Sequence, residues 1–135
     1  MLFGSFDLLH SCQLDVFKEA RAYGDHVTVI LARDDRITEL KGHEPLHNEN
    51  ERAEFLSHID LIDEVLLGDK IDVYRHVRER KPNTIVLGYD QEQFVSGLKT
   101  VISEEKLDTN IVRLHPHKEE THKSGKIKSY LESQI

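Results

Sequence analysis

The sequence predicts an α/β fold in a single domain spanning residues 1–135, a doubly wound parallel sheet with helices on its faces. Short β-branched apolar runs alternate with helical patterns along the whole chain, which is the signature of strand–helix–strand units. The runs are apolar on successive residues rather than on alternate ones, as in strands covered on both faces. A length of 135 residues suits one ordinary domain, and no internal repeat, linker or domain boundary interrupts it.

The elements follow in order. Met1-Leu2-Phe3 is all that precedes the first glycine, which is short for a central strand and suggests that residues upstream are missing. Leu14, Phe17, Ala20 and Ala22 form the apolar stripe of a first helix, which stops at Gly24. Val27–Ala32 is the second strand. Asn48 is an N-cap residue with Glu51 three positions on, a capping box that opens a helix over Arg52–Ile59. Glu64–Leu67 is a strand, and a helix over Val73–Lys81 ends before Pro82. Thr84–Leu87 is the next strand, and Phe94, Leu98, Val101 and Ile102 give the following helix its stripe. Asn110–Leu114 is the last strand, and a final helix is expected from about Ser124 to Leu131. The polar segment from Lys41 to His47, with Gly42 and Pro45, lies between two helical patterns and reads as a mobile loop.

Composition narrows the function. A formal net charge of −7 argues against nucleic acid as a partner, because that binding rests on many Lys and Arg contacts to phosphates. A small phosphorylated ligand needs only a local group of donors. No apolar run approaches the ~20 residues that span a membrane, so no membrane partner is expected. The single cysteine forbids an internal disulfide, and no charged-then-apolar leader is apparent; a cytoplasmic location is expected.

The chemistry concentrates in Phe3-Gly4-Ser5-Phe6-Asp7-Leu8-Leu9-His10. A strand end runs into a glycine turn, an acid and a histidine, and then an amphipathic helix. Free N–H groups and the dipole at a helix N-terminus favour phosphate. His10 and Gln13, three apart, share a helix face and could hold adjacent phosphate oxygens. From spacing alone, a histidine that caps a helix and a glycine that serves a turn explain the stretch equally well.

This stretch resembles the first motif of the cytidylyltransferase-like nucleotidyltransferases, G-T-F-D-L-L-H-x-G-H, with Cys12 and Gln13 where that pattern has glycine and a second histidine. The likeness extends over roughly residues 3–127. It runs through Ile30–Asp34, Leu40-Lys41-Gly42, Pro45, Glu51-Arg52, Asp63, Leu67-Gly68-Asp69, Lys81-Pro82 and Leu87-Gly88-Tyr89-Asp90-Gln91. The archaeal FAD synthase group is the nearest pattern, and glycerol-3-phosphate cytidylyltransferase a more distant one.

The resemblance implies a Rossmann-like sheet and a nucleotidyltransferase. Such an enzyme passes a nucleoside monophosphate from ATP or CTP, with Mg²⁺, to a small phosphorylated acceptor and releases pyrophosphate. FMN adenylylation to FAD is the preferred reaction, with cytidylyl transfer to glycerol 3-phosphate close behind. By position, His10, Lys41 and Arg52 are the catalytic set. Lys41 would close on the phosphates, and Arg52 would be a phosphate or loop anchor. Gly4, Ser5, Phe6, Asp7, Gln13, Gly88, Asp90 and Ser124 would bind nucleotide. A homodimer is common among such enzymes, and the oligomeric state is left open.

The alternative is a non-catalytic nucleotide-binding or regulatory protein, favoured by Cys12 and Gln13. A Cys12–His10 nucleophile lacks an orienting third group. His115 and His117 lack the partners of a metal site and read as loop residues.

Overall fold

The computed structural model describes residues 1–7, 11–87 and 92–113, and for residues 11, 12, 92 and 93 the backbone alone. The expected final helix, together with His10, Gly88, Asp90 and Ser124, lies outside the described residues.

Five strands and five helices alternate: β1 (Leu2–Gly4), α1 (Ser11–Tyr23), β2 (Thr28–Leu31), α2 (Asp34–Lys41), α3 (Glu49–Ser57), β3 (Glu64–Leu67), α4 (Arg75–Arg80), β4 (Thr84–Leu87), α5 (Glu92–Glu104) and β5 (Asn110–Arg113). The strands form one sheet in the order β3-β2-β1-β4-β5, and every pairing is parallel. The chain therefore builds outward from β1 through β2 to β3, then returns to lay β4 against the other side of β1. Strand order reverses between β1 and β4, and ligands of such sheets sit at the carboxyl ends of the strands at that point.

Successive apolar residues have the expected consequence. All four residues of β2 are buried, as are Ile85, Val86 and Leu87 of β4. The edge strands β3 and β5 are only partly covered. Alternate residues feed two cores. Leu2, Val29, Leu31 and Val86 pack with Phe17 and Ala20 of α1 and Leu56 of α3. Ile85 and Leu87 pack on the other face with Val77 of α4 and with Val95, Leu98 and Val101 of α5.

Differences from the sequence reading are local. The central strand β1 has three residues, shifted one position to Leu2–Gly4. The expected stripe of α1 is only half right: Phe17 and Ala20 are buried, whereas Leu14 is 42% exposed and Ala22 is exposed. Gln13 and Val16, each partly covered, complete that face instead, because 13, 16, 17 and 20 share one helical side. The capping box forms as expected, with the Glu51 N–H donating to Asn48 Oδ1 at 2.8 Å and the Asn48 N–H to Glu51 Oε1 at 3.1 Å. Helix α4 is shorter than its pattern because the chain before it is a turn built on an aspartate.

That aspartate is Asp69, directly after β3. Its Oδ2 accepts from the N–H groups of Asp72 (2.7 Å) and Ile71 (2.9 Å), and its Oδ1 from Arg75 Nη1 at 3.0 Å. These bonds favour the ionised form and hold the carboxyl down to about 2, the Asp72 N–H contributing most. A depressed native pKa gives stability that is fully present above the unfolded-state value of 3.8 and is lost as pH falls towards 2. Asp69→Asn should therefore melt below the wild type at pH 6, with the gap closing between about pH 4 and pH 2. Thermal melts of both proteins across that range check it; a gap independent of pH would contradict the assignment.

Candidate active site

The carboxyl end of β1 leads into the loop that the sequence marks as functional. Gly4 is paired in β1, opposite Leu31, and its carbonyl accepts from the Ala32 N–H at 2.9 Å. The glycine turn expected at Gly4 is corrected here, since Gly4 is a strand residue. The left-handed residue is Phe6, at φ 47°, and Gly4 is small for a different reason. A Cβ on Gly4 would stand 2.8 Å from Cε2 of Phe6, whose ring folds back over the glycine and packs on Phe17 with 5.4 Å between centroids. The aromatic plug turns the chain sharply and delivers Asp7 inward.

Asp7 is 7% exposed. Its two carboxylate oxygens accept from consecutive main-chain groups, Oδ2 from Leu46 N–H at 2.7 Å and Oδ1 from His47 N–H at 2.8 Å. The His47 ring donates through Nδ1 to the Asp7 carbonyl at 3.0 Å. Hydrogen bonds from amide N–H groups to a carboxylate are charge-assisted, so this pair of contacts fixes the 46–47 main chain firmly against the loop after β1.

Arg52 lies beneath the same loops and is 2% exposed. Its Nε donates to the His47 carbonyl (3.0 Å), Nη1 to the carbonyls of Ser5 (2.8 Å) and Ala32 (2.9 Å), and Nη2 to Asp34 Oδ1 (2.6 Å). Of the two roles expected for it, phosphate contact or loop anchor, this geometry suits the anchor. One guanidinium joins the ends of β1 and β2, the start of α2 and the segment before α3. Asp34 also donates its N–H to Glu49 Oε1 at 3.1 Å, which ties α2 to α3.

Lys41 is the last residue of α2 and is exposed, not part of the loop itself. Gly42 follows in the left-handed region at φ 78° and donates its N–H to Thr38 O, a glycine C-cap. Of the segment from Lys41 to His47, expected as a mobile loop, only part lacks such anchors. Residues 42–44 are exposed and Pro45 is half-buried, while 46 and 47 are held by Asp7 and Arg52. On α1, the Oε1 atom of Gln13 is buried and has no hydrogen-bond partner among the described residues.

The structure thus brings Gly4, Ser5, Phe6, Asp7 and Arg52 together and sets Lys41 at the end of a helix whose first residue Arg52 holds. The sequence reading did not place Asp34 or the 46–47 main chain in the site. Asp34 did stand in the Ile30–Asp34 run, but nothing in that run says that its carboxylate turns inward. Asp63, another residue of the ordered motif set, lies at the opposite end of the sheet. It accepts from the Val27 N–H at 2.7 Å, which holds its carboxyl below the usual range, and it pairs with Arg21. Among the described residues no three His, Cys, Asp or Glu side chains converge on a metal site. No helix among them is long and apolar enough to cross a membrane.

A parallel sheet whose strand order reverses beside a turn and a helix start is a doubly wound α/β architecture, in which ligands bind at that point. Residues 1–129 match the family described as cytidylyltransferase-like. The chain is 33% identical to a FAD synthase of Thermococcus sibiricus over 126 residues, 92% of this chain and 85% of that protein. It is 34% identical to a FAD synthase of Methanosarcina barkeri over 116 residues, 86% of this chain and 82% of that one. Among solved structures, a lipopolysaccharide core biosynthesis protein from Thermoplasma volcanium superposes with a TM-score of 0.76 at 31% identity, over 86% of this chain and 96% of that one. The chain belongs to the cytidylyltransferase-like family, and its enzyme class is nucleotidyltransferase.

Gly4→Ala should destabilise the fold by about 1–3 kcal/mol, because the new methyl group overlaps a ring already packed on Phe17. In a Phe6→Ala background the same change should cost almost nothing. Urea melts of the four proteins check this; an equal cost in both backgrounds would show that the Phe6 ring is not the obstacle.

Proposed function

We propose that this chain joins the AMP moiety of ATP to FMN, giving FAD and pyrophosphate. The observation that carries the reading is the 33–34% identity to FAD synthases over most of the chain, together with a switch-point loop of suitable form. In the reaction an oxygen of the FMN phosphate attacks the α-phosphorus of ATP. A new P–O bond forms, the bond from the α-phosphorus to the bridging oxygen breaks, and pyrophosphate leaves with that electron pair. No protein nucleophile takes part, so the chain positions the reactants and stabilises charge on the phosphoryl oxygens.

The triphosphate lies over the Gly4–Gln13 turn, where the first N–H groups of α1 have no partners within the helix. His10 donates to a phosphate oxygen, and Lys41 approaches the phosphates from the end of α2. Gln13 offers a neutral amide at the position where the family pattern has a histidine. Gly88 and Asp90 would meet the base and ribose, and Ser124 a phosphate. Mg²⁺ would accompany the triphosphate, bound through the phosphates as it is in many nucleotide sites, and no step is assigned to it. The reaction belongs in the cytoplasm.

A non-catalytic nucleotide binder is the second reading, favoured by Cys12 and Gln13. Incubation with Mg²⁺, ATP or CTP, and FMN or glycerol 3-phosphate separates the cases. FAD formation supports the proposal, and product from CTP and glycerol 3-phosphate alone overturns the choice of substrates. Bound triphosphate that is never turned over favours the second reading. His10→Ala should lower turnover about 10²–10³-fold and weaken triphosphate binding. Unchanged affinity in that variant would place the phosphates elsewhere.

The neutral amide at position 13 leads to a further expectation. Cys12→Gly with Gln13→His should raise kcat more than it changes KM for the nucleotide, as expected of a contact that matters chiefly in the transition state. Steady-state kinetics decide it; an unchanged kcat means that position 13 does not limit the rate.

A further inference from the structure

Residues 46 and 47 are gripped from both sides. Asp7 holds their two N–H groups at 2.7 and 2.8 Å, and Arg52 Nε holds the carbonyl of His47 at 3.0 Å. Immediately after them, the Asn48–Glu51 box fixes the start of α3. At the other end, Arg52 Nη2 holds Asp34, the first residue of α2, and α2 carries Lys41 at its far end. Four residues, 42–45, remain between the helix end and the grip. Five Cα steps from Lys41 to Leu46 span at most about 17 Å when fully extended, so the grip bounds where Lys41 can go.

Neither gripping side chain is suited to meet a phosphate. The Asp7 carboxylate is anionic and faces amide donors. The Arg52 guanidinium is buried and engaged with three carbonyls and a carboxylate. We propose that Asp7 and Arg52 are positioning residues, which fix the 46–47 pivot of the lid and so set the approach of Lys41 to the nucleotide. This rests on the function proposed above and reassigns both residues within it. Arg52 provides the rigid frame, because its planar fork reaches Ser5, Ala32 and His47 at once. Asp7 latches the lid to that frame. Asp7→Asn is the informative change, since its amide can accept one of the two N–H groups but not both.

Two measurements test the proposal. The first is hydrogen exchange at the Leu46 and His47 amides in the full chain without ligand. Exchange should be about tenfold faster or more in Asp7→Asn, and unchanged exchange overturns the grip. The second is a double-mutant cycle on kcat between Asp7→Asn and Lys41→Ala. Asp7→Asn alone should lower kcat about tenfold or more, with KM for FMN little changed. In the Lys41→Ala background it should have almost no further effect. Effects that multiply independently overturn the positioning role, because Asp7 would then act without Lys41. If the wild type binds Mg²⁺-ATP but turns over no acceptor, the adenylylation reading fails, and the same cycle is read on ATP affinity with the same criterion. A wild type that binds no triphosphate overturns the site reading, and the transmission to Lys41 with it.

Discussion

The buried guanidinium of Arg52 is the interaction on which the rim of this protein depends. A parallel sheet ends in separate loops that have no hydrogen bonds to one another by default. Here four of the five N–H groups of one side chain satisfy carbonyls from three loops and the carboxylate of Asp34. Burying a charge is costly unless it is paired and hydrogen-bonded, and Arg52 is paired with Asp34 and has four of its five N–H groups bonded. The arrangement is therefore cooperative. Removing any one acceptor leaves a buried cation partly unsatisfied, so each loop is held in place by the others.

The cores explain why the anchor stands where it does. Beneath it, α3 presents Leu56 to the sheet, one turn along from Arg52 on the same face. The helix that supplies apolar packing to one core thus also carries the cation, and rigid packing at Leu56 fixes where the guanidinium lies. A loop-borne arginine would have to lose much more side-chain freedom to make the same bonds. The short β1 is tolerated for a related reason. It pairs on both sides, with β2 and β4, and Phe6 and Phe17 extend its burial past the last strand residue.

Much of this was legible in the sequence, and the remainder was hidden for identifiable reasons. Strands covered on both faces show as unbroken apolar runs, so β2 and β4 could be read directly. The Asn48–Glu51 box is a local signal and formed as written. The buried face of α1 was misread at Leu14 because periodicity counts apolar residues and could not credit Gln13. The reason for Gly4 was hidden because the obstructing ring is two residues away and acts only once Phe6 adopts a positive φ. Arg52 was legible as a site residue but not as a buried one, because burial of a charge depends on acceptors distant in sequence: Ser5, Ala32 and Asp34.

The electrostatics of the rim follow from this division of labour. A chain of formal charge −7 must hold an anionic substrate, so attraction has to be local. Arg52 contributes little to it, since Asp34 balances its charge at 2.6 Å. Asp7 would be expected to repel phosphate, but its charge is directed into two amide dipoles and away from solvent. Under the function proposed above, attraction of phosphate falls to the N-terminus of α1, to His10 and to Lys41, which is exposed at the end of α2. Gln13 adds hydrogen-bonding capacity without charge, and its buried Oε1 has no partner among the described residues. Among the described residues, the charges that shape the rim, Arg52 and Asp7, are thus buried and engaged with the main chain, whereas Lys41 is exposed.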